Sequence, residues 1–313
     1  MNEIIMDIGN DMEGKICLVT GASRGIGYYV ARGLASMGAF VVIASHHRGR
    51  GESARQRINT FTGKNSSDFM LVDLSSQEDI REFTETFKDQ HDHLDVLVNN
   101  AGGFFLNREE SVDGFEMTFA LNQLNYFMTT LLLMEPLLAA GSARIVNVAS
   151  ESHRGEKMRF DDLQFENGYN ALGAYGQSKL ANLLFTYELS RRLEGADVTV
   201  NALHPGFVHT HLGKQNWLVR ILMNVVHFLS AKRPEEGAET PIFLASSPQV
   251  KGVTGQYFID KEAVRSSQAS YDREAAQRLW EISENLCNLE ASLMDLNDLK
   301  STTDKPIVEL VEG

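Results

Sequence analysis

Two residues four positions apart, Tyr175 and Lys179, have the side chains best suited to proton chemistry in this chain. On a helix, this spacing places both side chains on one face, one turn apart. An ammonium beside a phenol favours the phenolate, so the tyrosine would exchange its proton nearer neutral pH than its ordinary pKa of about 10 allows. Such a group can give a proton to a carbonyl oxygen. Because surface helices also carry this spacing by chance, other motifs in the chain are needed to show whether the pair is catalytic.

A glycine-rich turn follows the first apolar run of the chain. Residues 15–20 are typical of a buried parallel strand, and residues 28–37 have helical spacing. Between them, Gly21 allows a tight turn, Gly25 lets a phosphate approach the backbone, and Gly27 lets the helix pack closely on the strand. The helix N-terminus would then face a pyrophosphate. The pattern predicts a dinucleotide site, and the alternative is an ordinary turn rich in glycine.

The residues after the second predicted strand, 39–44, bear on the choice of dinucleotide. NAD sites usually have an Asp or Glu at this strand end to bind the ribose 2′-hydroxyl. Here residues 45–50 are Ser-His-His-Arg-Gly-Arg, which contain no acid. Arg24 and Arg48 could both face a 2′-phosphate, which suits a guanidinium fork. We therefore predict NADP(H) in preference to NAD(H), with solvated loop arginines as the alternative.

The alternation of apolar runs and helical patterns continues along the chain. Further strands are predicted over residues 68–74, 94–98, 144–149, 198–203 and 255–260. The alternation predicts an α/β fold with one doubly wound parallel sheet of about seven strands and helices on both faces. Binding groups in such a sheet gather at the carboxyl ends of the strands. Gly21, Asn99, Gly102 and Ser150 are predicted at this edge, and Asp73 is predicted to reach an adenine ring.

Three helical patterns frame the candidate residues. Residues 75–87 are predicted as a helix with Ser76 as a possible N-cap. Residues 115–138 are predicted as one apolar helix, broken near Pro136, with Asn122 inside it. Because a lone Asn in an apolar helix is costly unless it is bonded, Asn122 can also be a satisfied core residue. Residues 174–193 are predicted as the long helix that presents Tyr175 and Lys179.

Composition excludes several classes of protein. The chain has 313 residues and a net charge of −13, which argues against nucleic acid and anionic membranes as main partners. Its two cysteines, Cys17 and Cys287, imply no disulfide framework and suit a cytoplasmic setting. The adjacent His46 and His47 lack further ligands, so no metal site is predicted. No signal peptide is found, and no apolar run reaches the length of about 20 residues that spans a membrane.

The expected organisation is one domain with two extensions. We expect an N-terminal arm over residues 1–13, a domain over 14–287 and an acidic tail over 288–313. The loops at 151–174 and 211–233 are the expected walls of a substrate pocket. Trp217, Phe228 and neighbouring aliphatic residues in the second loop favour a lipophilic or ring-bearing substrate. A core helix or subunit contact is an open alternative for that stretch, and membrane association is a third.

Taken together, these motifs resemble the classical short-chain dehydrogenase/reductases over about residues 14–287. The matching residues are Thr20-Gly-x-x-x-Gly-x-Gly27, Asn99-Asn-Ala-Gly102, Asn122, Ser150, Tyr175-x-x-x-Lys179 and Pro205-Gly206. The 25-residue step from Ser150 to Tyr175 and the run at 178–189 are similar to the retinol-dehydrogenase-like branch. That branch commonly carries Cys-Arg where this chain has Ser45-His46, and many of its vertebrate members have an N-terminal membrane segment.

The resemblance implies a Rossmann-type domain and a role for each matching residue. Hydride passes between a nicotinamide and a carbonyl carbon, Tyr175 exchanges the proton, and Ser150 hydrogen-bonds the oxygen. Lys179 would lower the pKa of Tyr175 and bind the nicotinamide ribose, while Asn122 would hold a water linked to Lys179. The expected cofactor-binding residues are Gly21, Ser23, Arg24, Gly25, Ile26, Gly27, His46, Arg48, Asp73, Leu74, Asn100, Ala101, Gly102, Tyr175, Lys179, Pro205, Gly206, Val208 and Thr210.

The function expected from the resemblance is an NADP(H)-dependent oxidoreductase that acts on a carbonyl or alcohol of a lipophilic small molecule. Two alternatives stay open: a tailoring ketoreductase for a polyketide-like or cyclic ketone, and a non-catalytic protein that binds NADP(H). The helices at 115–138 and 174–193 are apolar on more than one face. In the family they often form a four-helix contact between subunits, so a homodimer or homotetramer is expected.

Overall fold

The strands form where the sequence is apolar and rich in β-branched residues. A computed structural model describes residues 12–206 and 233–289, in which eight strands form one sheet. Their bounds are β1 Ile16–Thr20, β2 Phe40–Ser45, β3 Ser67–Leu71, β4 Val96–Asn99, β5 Ala143–Val148, β6 Val198–His204, β7 Tyr257–Ile259 and β8 Glu262–Val264. Strands β1, β2, β4, β5 and β6 are almost entirely buried, as a parallel sheet covered on both faces requires.

The strand order creates a crevice at one edge of the sheet. The order is β3-β2-β1-β4-β5-β6-β7-β8, with every pair from β3 to β7 parallel and β8 antiparallel to β7. The chain builds outward from β1 on one side and then returns to place β4 on the other side. Ligands of doubly wound sheets bind outside the strand ends where this reversal occurs. The predicted fold class is confirmed, with an eighth strand added to the seven expected.

The helices lie on both faces of the sheet. They are α1 Gly25–Ser36, α2 Arg48–Thr62, α3 Gln77–Gln90, α4 Met117–Phe119, α5 Asn125–Leu132, α6 Met134–Ala139, α7 Ala171–Arg192, α8 Pro234–Gly237, α9 Glu239–Ser246 and α10 Arg273–Leu286. One large core cluster includes Phe127 and Leu180, and another includes Leu34 and Leu244. Within the described ranges, no helix is both long and apolar enough to cross a membrane.

The predicted helix over residues 115–138 is divided into several segments. A π-helical segment, Ala120–Leu124, separates α4 from α5, and a break at Leu133 separates α5 from α6. The break expected near Pro136 is present at Leu133, whereas the π-helical segment was not expected. Pro136 lies in the first turn of α6, where the absence of its N–H removes no helical hydrogen bond.

Several boundaries differ from those expected. Helix α2 already begins at Arg48, and β3 ends at Leu71, so Asp73 lies in the following turn. Met12, expected in the loose arm, is buried, and its N–H donates to the Met37 carbonyl at 3.1 Å. Leu289, expected in the tail, is also buried in the core. Residues 1–11 of the predicted arm, residues 290–313 of the predicted tail and all but the last residue of the loop at 211–233 lie outside the described residues.

Candidate active site

The turn after β1 and the turn after β4 are tied together at the crevice. The Thr20 hydroxyl oxygen accepts hydrogen bonds from the backbone N–H groups of Asn100 at 2.9 Å and Ala101 at 3.0 Å. The Asn100 amide returns a bond to the Thr20 carbonyl at 2.8 Å. A Cβ added at Gly27 would lie 2.5 Å from the Asn100 amide nitrogen, so only glycine fits there. These contacts hold the two turns of the predicted cofactor site in one rigid unit.

The N-terminus of α1 fits the pyrophosphate of a dinucleotide. Its N-cap residue, Arg24, provides no side-chain cap, and the first turn contains no acid, so the N–H groups and the helix dipole remain available for an anion. Gly25 has φ +62°, and a Cβ added there would meet nothing within 4 Å. The turn therefore borders open space in a conformation that disfavours other residues. Ser23 lies in this turn, whereas Ile26 is buried in the core.

The basic region after β2 differs in detail from the prediction. Ser45 is buried and donates to the Ser23 hydroxyl at 2.9 Å, while His46 and Arg48 are exposed. Although its surface is exposed, partial desolvation of the His46 ring is the main cause that lowers its pKa; Asp73 opposes that shift, and Arg50 and Arg24 are among the charges that add to it. Two arginines and a carboxylate therefore surround His46.

Arg50 is a candidate that the sequence reasoning passed over in favour of Arg48. Its Nε is buried and has no hydrogen-bond partner in the described part of the chain. A buried guanidinium N–H without a partner is costly, which is a sign of an acceptor that the protein itself does not supply. A 2′-phosphate beside His46 would provide such an acceptor.

The remaining predicted cofactor residues take different positions. Asp73 is exposed, and its Oδ1 accepts from the Ser75 N–H and hydroxyl at 2.9 and 2.7 Å. Leu74 is buried in the core, so only its backbone could face a ligand. Pro205 and Gly206 follow β6 at the same sheet edge. Val208, Thr210, Trp217 and Phe228 lie outside the described residues.

The structure brings the predicted catalytic residues together at the end of β5. Ser150 follows that strand, and Tyr175 and Lys179 lie in the second and third turns of α7. The Ser150 side chain lies close enough to Tyr175 to lower the pKa of its phenol. The Lys179 Nζ lies 5.8 Å from the centre of the Tyr175 ring. Gly102 is exposed beside them, and a Cβ added there would lie 3.8 Å from Nζ.

Burial is the main influence on the pKa values of Tyr175 and Lys179. Burial raises the pKa of the Tyr175 phenol, and the neighbouring Ser150 side chain acts in the opposite direction. Burial also lowers the pKa of Lys179 to about 7. The expected lowering of the tyrosine pKa by Lys179 is therefore wrong for the cofactor-free protein, because desolvation penalises the charged form of each group. Tyr175 is consequently protonated at neutral pH, whereas Lys179 exchanges its proton there.

Asn122 lies in the π-helical segment and is a fully bonded core residue. Its Oδ1 accepts from the Gly103 N–H at 2.8 Å, and its Nδ2 donates to the Gly103 carbonyl and the Ser178 hydroxyl, both at 3.0 Å. Its own carbonyl accepts from Asn182 at 2.7 Å. The side chain thus joins the strand end at Gly103 to α7, and π-helical segments often occur at functional sites.

Two further residues support the site without having been predicted. His153, in the short 3₁₀ segment Glu151–His153, bonds the Ser150 carbonyl through Nδ1 at 2.6 Å. Its Nε2 accepts from the Ser267 N–H at 3.1 Å, so the neutral ring carries its proton on Nδ1. The ring of Phe104 contacts the Tyr175 ring edge to face at 5.6 Å. The only sequence signals for them were their positions just after the Ser150 and Asn-Asn-Ala-Gly motifs.

The two loops that flank this edge are bonded to each other. The Tyr169 hydroxyl donates to the Phe105 carbonyl at 2.8 Å, and Arg108 donates to the Gln164 carbonyl at 3.1 Å. The Gln164 side chain in turn accepts from the Glu116 N–H at 2.9 Å. The loop at 151–170 is therefore anchored against the segment at 104–116, which forms a preorganised wall beside Phe104 and Tyr175.

Comparison with known proteins places these motifs in a family context. A sequence profile described as short chain dehydrogenase matches residues 15–218. Retinol dehydrogenase 14 of Mus musculus is 41% identical over 286 residues, which cover 87% of this chain and 86% of that protein. Polyprenol dehydrogenase of Homo sapiens is 38% identical over 273 residues, which cover 85% and 83%. Both likenesses extend well beyond the catalytic motifs.

A solved structure shares the fold over most of the chain. It is described as an NAD(P) dependent gluconate 5-dehydrogenase from Beutenbergia cavernae with bound NADP. It superposes with a TM-score of 0.65 at 28% identity and covers 80% of this chain and 96% of its own.

Proposed function

The chain belongs to the short chain dehydrogenase family of oxidoreductases, and from that premise we propose that it transfers a hydride between NADP(H) and a carbonyl or alcohol of a lipophilic small molecule. One observation carries this proposal. Ser150, Tyr175 and Lys179 converge at the sheet edge that also holds the uncapped N-terminus of α1. A proton donor therefore lies beside a site that suits a dinucleotide.

Each protein group has a task in the proposed reaction. When bound, the nicotinamide supplies or accepts the hydride. Tyr175, which is protonated at neutral pH, gives its proton to the carbonyl oxygen during reduction. The Ser150 hydroxyl holds that oxygen by a hydrogen bond. Lys179, with a pKa of about 7, replaces the proton that Tyr175 has given away.

The preference for NADP(H) over NAD(H) rests on the residues after β2. That strand ends at Ser45 and His46 follows it, so the strand end itself carries no carboxylate of the kind that an NAD site usually has. Arg24 and Arg50 are the cations near His46, and the buried Arg50 Nε needs an acceptor. A phosphate dianion satisfies a guanidinium fork, whereas a ribose hydroxyl offers no charge.

The proposed substrate class follows from the wall beside Tyr175. The Phe104 ring packs edge to face with the Tyr175 ring, and this aromatic surface favours an apolar or ring-bearing group next to the reacting carbon. The relatives named retinol dehydrogenase and polyprenol dehydrogenase point in the same direction, because both of those alcohols are apolar. The predicted second wall at 211–233 agrees with this class by its composition alone.

Two further expectations stay proposals. A cytoplasmic location is one, and a homodimer or homotetramer is the other. The apolar face of α7 that suggested an oligomer is covered by α10, because Trp280 packs on Phe185 at 5.9 Å between ring centres. A contact between subunits would therefore use another surface of the chain.

Replacement of the proton donor tests the proposed reaction. Tyr175→Phe should retain NADPH binding, measured by fluorescence titration, but lower kcat for reduction of all-trans-retinal by roughly a hundredfold or more, which is the range of general acid catalysis. The control is Tyr169→Phe, which removes another hydroxyl from the same wall and should have a much smaller effect. Retention of most activity by Tyr175→Phe would contradict the proton-transfer role.

A panel of substrates separates the chemistry from the substrate class. All-trans-retinal, a medium-chain aliphatic aldehyde and a cyclic ketone should be compared with NADPH as reductant. The proposal expects turnover of the lipophilic aldehydes. Turnover of the cyclic ketone alone would support a ketoreductase instead, and binding of NADPH without any turnover would support a non-catalytic role.

A further inference from the structure

The side chain of Asn182 lies between Lys179 and the π-helical segment and is fully buried. Its Nδ2 donates to the Asn122 carbonyl at 2.7 Å and to the Gln123 Oε1 at 3.2 Å. A backbone carbonyl can only accept, so the NH2 group of Asn182 must face it. This orientation leaves the amide oxygen on the other side, where it accepts from the Lys179 Nζ at 3.2 Å.

Lys179 is consequently held by two acceptors. Besides Asn182, its Nζ donates to the Val148 carbonyl at 2.9 Å. A neutral amine has two N–H groups and one lone pair, so both N–H groups are engaged and the lone pair is left for a third direction. Gly102 lies on the open side, since a Cβ added there would be 3.8 Å from Nζ. A proton taken up by the amine would therefore occupy the position that faces the site.

We propose that Asn182 is a positioning residue, which together with the Val148 carbonyl aims the exchangeable proton of Lys179 into the active site. This inference rests on the proposed role of Lys179 in replacing the proton of Tyr175. Asn182 itself touches neither the substrate nor the reacting atoms, and it acts through the amine that it holds.

A buried network of amides and hydroxyls fixes Asn182 from behind. The Thr186 hydroxyl donates to the backbone carbonyl of Asn182 at 2.7 Å, which holds the main chain at this position, and it accepts from the Asn147 amide at 2.9 Å. The Asn147 oxygen in turn accepts from the Asn99 amide at 2.9 Å. Because these groups lie in the core between α7 and the sheet, the geometry around Lys179 is set before any ligand binds.

The charges around Lys179 make its protonation sensitive to residue 182. Among the residues that the structure describes, the titratable groups that face its Nζ are Tyr175 on its own helix and Tyr126 on α5, whose ring centre lies 5.5 Å away. Burial raises the pKa of Tyr126 strongly, so this phenol stays neutral. Burial is also what shifts the pKa of Lys179, and no charge in the described residues contributes. A carboxylate at position 182 would therefore be the first anion in contact with the amine.

Opposite shifts of the pH profile test the proposal. The assay follows kcat/KM for NADPH-dependent reduction of all-trans-retinal, which should fall as the pH rises through the pKa of Lys179. Asn182→Asp should move the midpoint upward by about one pH unit or more, because an adjacent opposite charge favours the ammonium. Asn182→Leu should move it downward and lower kcat, since one acceptor of the ammonium is lost. If Asn182→Leu does not fold, Asn182→Ser removes the same acceptor with a smaller side chain.

The matched control is Asn125→Leu on α5. Asn125 is equally buried, but its amide bonds the Leu121 carbonyl and the Thr129 hydroxyl instead of Lys179. Asn125→Leu should lower the stability of the protein without moving the midpoint of the pH profile of kcat/KM. Folded Asn182 variants with the wild-type midpoint, or an equal shift in Asn125→Leu, would overturn the proposal.

A second readout does not depend on activity. Between pH 7 and the ordinary lysine pKa of about 10.4, the unfolded chain binds a proton that folded Lys179 has lost, so this group makes stability rise with pH. Denaturant unfolding of the cofactor-free protein should show a shallower rise for Asn182→Asp and a steeper one for Asn182→Leu than for wild type. This measurement can be made even if no substrate in the panel is turned over. If the free energy of unfolding depends on pH with the same slope in all three proteins, the proposal about Asn182 is overturned.

Discussion

At the scale of single residues, the site depends on where a few cations lie. Arg48 is the first residue of α2 and is exposed, whereas Arg50 is partly buried and has a buried Nε without a partner in the described residues. Residues two positions apart on a helix leave it on nearly opposite sides. The two arginines therefore cannot serve the same phosphate equally, and Arg50 is the one near His46.

Arg50→Ala should weaken the use of NADPH specifically. Loss of a charge-assisted hydrogen bond is worth about 1.5–3 kcal/mol, which corresponds to a decrease of roughly tenfold to a hundredfold in kcat/KM for NADPH. The value for NADH should change little, because NADH lacks the 2′-phosphate. The comparison is made from initial rates with both cofactors, with Arg48→Ala as the matched control. A larger effect of Arg48→Ala, or equal losses for both cofactors, would contradict the assignment.

The sequence could identify the chemical groups but not all of their partners. Ser150, Tyr175 and Lys179 were predictable because strand ends and helical spacing bring them to one edge. Arg50 was missed because residues 46–50 were taken as a loop, whereas His47 caps α2 by accepting from the Arg50 N–H at 3.3 Å. Histidine is not among the preferred N-cap residues. Asn182 was missed because its role depends on the orientation of its amide in a buried network.

At the scale of elements, the short segment after β5 links Ser150 to a distant turn. His153 must be neutral to accept from the Ser267 N–H while it donates to the Ser150 carbonyl. Burial lowers its pKa below the ordinary value of about 6.5. The unfolded chain therefore binds a proton at a higher pH than the folded chain does. Stability from this group is full above about pH 6.5 and is lost as the pH falls through the lower folded value.

His153→Phe should flatten this pH dependence and also impair the site. The substitution leaves the Ser267 N–H without its partner and leaves the Ser150 carbonyl with the backbone N–H of residue 153 at 3.3 Å, at a cost of about 1–3 kcal/mol of stability at neutral pH. It should also lower kcat, because the Ser150 carbonyl loses its shorter hydrogen bond, the one from the His153 Nδ1 at 2.6 Å. Urea unfolding between pH 5 and 8 and retinal reduction at pH 7 measure the two effects.

His91→Phe provides the matched control for His153. The pKa of His91 is also lowered mainly by burial, and its ring packs on Phe87 at 4.7 Å, at the end of α3. This variant should alter the acid dependence of stability but leave kcat unchanged. A His153→Phe enzyme with normal kcat would show that the link to Ser150 has no catalytic consequence.

Element types were largely predictable, whereas turns without glycine were not. The hairpin between β7 and β8 is built on Asp260 and Lys261, both with positive φ, at 51° and 69°. Turns of this kind usually contain Asn-Gly or Asp-Gly, so Asp-Lys gave no signal and β8 was not expected. The π-helical segment at 120–124 was equally hidden, because an apolar run fits a regular helix just as well.

At the scale of the whole molecule, α10 completes the core on the outer side of α7. The Trp280 ring packs on Phe127 at 5.0 Å and on Phe185 at 5.9 Å, and the Arg192 guanidinium lies 4.1 Å from its centre. A helix that is apolar on several faces must be shielded from water by other elements of the chain or by another subunit. The sequence showed that α7 needed a cover but could not tell a second subunit from a later helix of the same chain.

Trp280→Ala should therefore destabilise the fold without changing the number of subunits. Removal of a buried tryptophan from a core costs about 3–5 kcal/mol, because contacts are lost and a cavity remains. If α10 is an intrachain cover, the mass measured by light scattering should be the same for the variant and the wild type, whatever that mass is. Glu281→Ala, at an exposed position of the same helix, should change neither property. A fall in mass for Trp280→Ala would instead show that this face holds subunits together.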